Sequence, residues 1–121
     1  MAENRKTNRY DLEERTFEFA KRVRAFVKQL PKTIANIEDG KQVIKSSGST
    51  GANYIEANEA LSKKDFIMRV KICRKEAKES GYWLRLVETG NSDELNGERQ
   101  ALVQESKELT SIFGSILQKG R

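Results

Sequence analysis

The strongest constraint on this chain is a recurrence of apolar residues at intervals of three and four, interrupted only briefly. Leu12, Phe19, Val23, Phe26 and Leu30 share one such repeat, widened by Ala20 and Val27, with charged residues between them. That spacing gathers apolar side chains on one side of a helix. Pro31, the only proline, ends it. Because a proline costs nothing in a first helical turn, a second helix is expected to begin at once. Ser62-Lys63-Lys64-Asp65 reads as a capping box opening a third helix, which carries Phe66, Val70, Cys73, Ala77, Leu84 and Val87. Thr89-Gly90-Asn91-Ser92 stops that helix and caps a fourth, with Leu95, Leu102, Leu109, Ile112, Phe113 and Ile116. No strand pattern appears. Helices joined by very short turns must be antiparallel neighbours, so the expected fold is all-α, an antiparallel up-down-up-down four-helix bundle over residues 11–119. Residues 1–10 read as a flexible basic tail.

The second helix is the least certain to the eye because it contains "SSGSTGANY" at 46–54. Two glycines around Ser49-Thr50 suggest a phosphate-binding loop. Such a loop, however, follows a strand and ends in Gly-Lys-Ser/Thr, and neither condition holds here. Ile34, Ile37, Ile44, Ile55 and Leu61 suggest one inward stripe, 34–37–41–44–48–51–55–58, and Gly48 and Gly51 keep its phase. The expectation is one continuous helix from about 32 to 61. Gly48 and Gly51 would then be packing positions, letting a neighbour approach at about 1 kcal/mol of helix propensity each.

Composition narrows the chemistry. The chain has no histidine and one cysteine, Cys73, which removes histidine-based triads, most zinc or iron sites and any internal disulfide. Cys73 lies on the apolar stripe and reads as a small core residue. Glu56/Glu59 and Glu76/Glu79 have the i, i+3 spacing of carboxylate metal sites in bundles. Without histidine, and with Lys71, Arg74, Lys75 and Lys78 nearby, they read as salt-bridge partners. No catalytic residue, metal site or cofactor is therefore assigned. No apolar run is long enough for a membrane span and the N-terminus lacks a signal-peptide core, so a cytoplasmic protein with no membrane partner is expected.

Lys and Arg together number 23 against 18 acidic residues, a net charge of +5. That excess suits a nucleic-acid partner, though it also occurs in proteins without one. The candidate phosphate-contacting residues are Arg22, Arg24 and Lys28 on the first helix, and Lys63, Lys64, Arg69, Lys71, Arg74, Lys75 and Lys78 on the third. Helices one and three run parallel in this topology, which puts the two groups at opposite ends. One chain would then offer no continuous basic stripe, and assembly would have to gather one. Tyr82, Trp83 and Leu86 widen the apolar face of the third helix and are the candidate oligomer interface.

Residues 46–86, above all "GANYIEA" at 51–57, "KKDF" at 63–66 and "RKEAKESGYWLRL" at 74–86, closely resemble the bacterial four-helix-bundle family of intervening-sequence proteins. The resemblance extends from about residue 15 to 118. Gly81 departs from it, standing where a larger residue is common, which would loosen the third helix locally. The family's reading frames occur in insertions within large-subunit ribosomal RNA genes. The resemblance implies short bundles assembled as homopentameric rings. It also implies kinship with the accessory protein of diversity-generating retroelements, which serves a reverse transcriptase. The expected function is thus a non-enzymatic homo-oligomer that binds RNA or DNA through a basic surface. The alternative is a scaffold that recruits an enzyme such as a reverse transcriptase.

Overall fold

The computed structural model describes the backbone of residues 2–120 and the side chains of residues 11–120. The expected tail at 1–10 lies outside the described side chains. Among the described residues there are four helices and no strand: α1 (Ala2–Gln29), α2 (Ile34–Asn58), α3 (Lys63–Leu86) and α4 (Asp93–Lys119).

Each interhelical turn closes on a capping hydroxyl. Thr33 accepts from the Asn36 amide, Ser62 from the Asp65 amide and Ser92 from the Leu95 amide. Each thereby satisfies one of the four amides a helix start leaves unpaired. The Thr33 cap also corrects one expectation. Pro31 precedes α2 instead of sitting in its first turn, because Thr33 supplies the acceptor that starts the helix. Gly90 and Asn91 take positive φ angles of 68° and 65°, reversing the chain between α3 and α4.

The helices pack in a closed ring, α1 on α2, α2 on α3, α3 on α4 and α4 on α1. Side-chain partners show that neighbours are antiparallel. Along α1 and α4, Arg15 meets Glu105 while Arg22 meets Glu98. Along α2 and α3, Ser46 meets Ser80 and Asn53 meets Arg69. The α3–α4 seam brings Arg74 to Gly114 and Gly81 to Ser106. Inside lie Phe19, Val23 and Phe26 from α1, Val70, Cys73, Ala77 and Leu84 from α3, and Leu102, Leu109 and Phe113 from α4. Each large side chain buried there contributes about 1.5–3 kcal/mol.

The inward face of α2 is not the one its isoleucines mark. Asn36, Gly40, Val43, Ser47, Thr50, Tyr54 and Ala57 are buried, with Ser46 beside them. Ile34, Ile37 and Ile55 are exposed and Ile44 is half-buried, so the expected stripe is rotated out of the core. Hydrogen bonding within the helix explains how hydroxyls can replace isoleucines inside. Thr50 donates to the Ser46 carbonyl at 2.9 Å, and Ser46 and Ser80 pair at 2.8 Å. Buried hydroxyls satisfied in this way leave no desolvation penalty unpaid. Their small size lets α2 lie close to both neighbours.

The helix is continuous through Gly48 and Gly51. A β-carbon at Gly51 would stand 2.8 Å from Thr16 Oγ1 on α1, whereas one at Gly48 would meet only the Arg24 guanidinium, at 3.5 Å. Gly81 is buried in α3, where a β-carbon would come within 2.5 Å of Ser106 Oγ on α4. It is a point of close approach.

Candidate nucleic-acid interface

Charge on α3 and α4 is sorted by edge. Lys64, Lys71, Arg74, Lys78 and Arg85 fall on the three-four repeat 64–67–71–74–78–81–85. Arg74 and Gly81 on that repeat touch α4, and Ile67 reaches toward Gly120, so the repeat lies along the α4 edge of α3. Facing it, α4 presents 96–99–103–107–110–114, which contains Arg99 and Lys107. Neither stripe holds a carboxylate. From Lys64 to Arg85 the row spans about 32 Å at 1.5 Å per residue.

Apart from Asp93 in the first turn of α4, the carboxylates of these helices lie on their other edges. On α4, Glu94, Glu98, Glu105 and Glu108 follow 94–98–101–105–108, the edge that faces α1. There Arg15 binds Glu105 through two N–H groups at 2.7 and 2.8 Å and reaches Glu108 at 2.9 Å, while Arg22 binds Glu98 at 3.0 Å. Hydrogen bonds donated to Glu105 raise the Arg15 pKa above its usual value, and those donated to Glu98 do the same for Arg22. The Gln104 amide and then Arg15 hold the Glu108 carboxyl below its usual range. On α3, Asp65, Glu76 and Glu79 lie on 65–69–72–76–79–83, the edge toward α2, where Arg69 donates to Asn53 Oδ1 at 3.0 Å. With the acids drawn away, the cations on the α3–α4 face add their fields instead of cancelling.

At the Arg85 end, the face dips into an open pocket of about 380 Å³ lined by Arg85, Arg99, Gln100, Val103, Gln104 and Lys107. Arg99 is held there by the turn. Its Nη1 donates to the Val87 carbonyl and its Nη2 to Asn96 Oδ1 at 3.1 Å, and Asn96 Oδ1 also accepts from the Thr89 hydroxyl at 2.6 Å.

The ten expected phosphate-contacting residues therefore separate. Lys64, Lys71, Arg74 and Lys78 come together on the α3–α4 edge, and exposed Lys63 adjoins them at the start of α3. Lys75 points further outward, with Nζ 4.0 Å from Glu76. Arg69 turns to α2 and Arg22 to Glu98, Arg24 donates to the Ala20 carbonyl, and Lys28 is exposed on α1. The expectation that one chain offers no continuous basic stripe is corrected, because the stripe runs along α3 and α4 and not along α1 and α3. Arg85, Arg99 and Lys107 also lie on this face and were not among the ten. The spacing of Arg85 to Lys78 and Arg74 would have found it, but Arg99 and Lys107 require knowing which edge of α4 meets α3.

Of the candidate interface residues, Tyr82 and Leu86 are exposed, whereas Trp83 is half-buried against the core with Nε1 donating to Glu79 at 3.3 Å. Burial pushes the Cys73 thiol up to about 12, which keeps it protonated. Among the described residues no three Cys, Asp or Glu side chains cluster in a way that would hold a metal ion. Among the described residues no helix is long and apolar enough to cross a membrane.

The family model for the 23S rRNA-intervening sequence protein matches residues 8–113. The chain belongs to that family. A crystal structure of a protein of unknown function from the S23 ribosomal protein family, from Bacteroides thetaiotaomicron VPI-5482, superposes with a TM-score of 0.75. It is 29% identical, and the match covers 91% of this chain and 97% of that one. No curated protein matches. The family and the fold are thereby shown, and neither match names an activity.

Proposed function

We propose that the protein is a non-enzymatic, self-associating bundle that binds RNA through its α3–α4 face. The observation that carries this reading is the segregation of charge. Seven cations line one seam, and the acids of the same two helices, Asp93 at the start of α4 excepted, sit on the opposite edges, several of them neutralised by arginines from α1. A protein with a net charge of only +5 thus concentrates positive potential where a phosphate chain can lie. Membership of a family described by ribosomal RNA intervening sequences supports RNA as the polyanion.

Self-association, with a pentamer as the expected state, is supported by apolar side chains left outside. Ile37 and Ile55 on α2 and Met68 and Leu86 on α3 are all about half exposed. Multi-angle light scattering on the purified protein tests it, and a monomer at micromolar concentration removes it. RNA binding is tested by fluorescence anisotropy across a salt series. The expected affinity falls steeply with salt, and no binding at 50 mM salt would overturn the reading.

A second reading is a scaffold that recruits an enzyme such as a reverse transcriptase. It is favoured by Ile34 at the start of α2 and Leu61 in the turn after it, which are 86% and 102% exposed. A partner that stays bound after nuclease treatment of a lysate supports this reading.

A further inference from the structure

Tyr82 is an aromatic ring placed where a folded chain has no need of one. It is 55% exposed, yet it is not free to sweep. Its ring meets Trp83 edge to face, with centroids 5.0 Å apart and planes at 78°. Trp83 is itself packed on the core and tethered to Glu79. A ring held in place while still open to solvent has already lost much of the freedom that binding would otherwise cost it.

On a helix, residues three and four apart stand side by side, so Tyr82 has the cations Lys78 and Arg85 on its α4 side and Glu79 and Leu86 on its α2 side. Arg85 forms one wall of the pocket that also holds Arg99 and Lys107. Arg99 is fixed by two donated hydrogen bonds, one to the Val87 carbonyl where α3 ends and one to Asn96 on its own helix, which sets its charge in position before any ligand arrives. Gln100 and Gln104 in the same pocket offer amide donors and acceptors of the kind that sugar hydroxyls and base edges satisfy.

We infer that this end of the α3–α4 face receives single-stranded nucleic acid, with a base stacked on Tyr82 and an adjoining phosphate seated among Arg85, Arg99 and Lys107. The inference rests on the proposed nucleic-acid function and specifies its substrate. In a duplex the faces of the bases are covered by their neighbours, so an exposed ring adds nothing to binding. An unpaired base has a free face, and stacking it on an aromatic side chain is the usual device of single-strand binders. The pocket is open, so a chain can enter and leave it.

The test is anisotropy with one labelled RNA, presented single-stranded and annealed to its complement, at a fixed low salt concentration. The single strand is expected to bind at least about tenfold tighter than the duplex. Tyr82→Ala should weaken single-strand binding roughly fivefold or more while leaving duplex binding unchanged. Tyr82→Phe should retain it. Arg85→Ala and Lys107→Ala should each reduce the salt slope by about 0.7. Equal affinity for both forms, with no effect of Tyr82→Ala, overturns the inference and leaves RNA binding standing. Absence of binding to either form overturns both. Light scattering on Tyr82→Ala closes the remaining route: if the variant falls apart into monomers, Tyr82 is a subunit contact and the inference is wrong.

Discussion

Thr16 on α1 and Gly51 on α2 stand so close that a β-carbon at position 51 would lie 2.8 Å from the threonine hydroxyl oxygen and 3.2 Å from its β-carbon. Thr16 cannot yield easily. It is fully buried, and its hydroxyl donates to the Leu12 and Glu13 carbonyls, each at 2.9 Å. Gly51→Ala gains about 1 kcal/mol of helix propensity but must push α1 and α2 apart, which typically costs about 1–3 kcal/mol. The expected result is net destabilisation. Gly48→Ala meets only an exposed guanidinium and should be neutral or stabilising by up to about 1 kcal/mol. Urea denaturation of the two variants distinguishes them, and Thr16→Ala should relieve the penalty of Gly51→Ala in the double variant.

Asn36 joins both turns at one end of the bundle. Its side-chain amide donates to the Pro31 and Glu88 carbonyls at 2.9 and 2.8 Å, and its oxygen accepts from the Glu88 amide at 2.9 Å. The residue is almost wholly buried. Asn36→Ala would orphan these groups and cost about 2–4 kcal/mol, visible as a fall in Tm on the order of 10 °C. Asn36→Asp keeps the acceptor but loses both donors, so it should be strongly destabilised at neutral pH and recover partly in acid, where a protonated carboxyl can donate.

Acid should loosen the α1–α4 seam. Glu108 titrates below its ordinary value of 4.5 in the folded protein because Gln104 and Arg15 favour its charged form. A lowered folded pKa means that its contribution is complete above about 4.5 and is lost as the pH falls through the folded value. Stability measured in urea from pH 7 to pH 3 should decline across that lower range, and less so for Glu108→Gln. Arg15→Gln should cost no more than about 1 kcal/mol at pH 7, since the pair is partly screened by solvent, and less at pH 3.

Location, more than net charge, should govern RNA affinity. Lys78→Glu and Lys28→Glu change the protein's charge equally, but only Lys78 lies on the α3–α4 edge. The first should weaken binding by about tenfold or more at low salt and flatten the salt dependence; the second should change affinity by no more than about threefold. Anisotropy titrations at three salt concentrations give both numbers for each variant.

The sequence by itself determined the four helices and most of their caps. Apolar spacing, Ser62 and Ser92 are local signals, and local signals survive into the fold. It also determined the inward faces of α1, α3 and α4, because their stripes are built from large apolar residues whose burial dominates the energetics. The α2 face was decided only by tertiary structure. There, small residues whose hydroxyls are satisfied by their own helix outcompeted isoleucines, since closeness to α1 and α3 was worth more than side-chain bulk. The same holds for the basic seam. Lys71, Arg74 and Lys78 were visible as a cluster on one helix, but Arg99 and Lys107 join them only because one edge of α4, and not the acidic one, lies against α3. Periodicity sets which way a helix turns its apolar side. Which of its two flanks meets a given neighbour depends on how all four helices pack together.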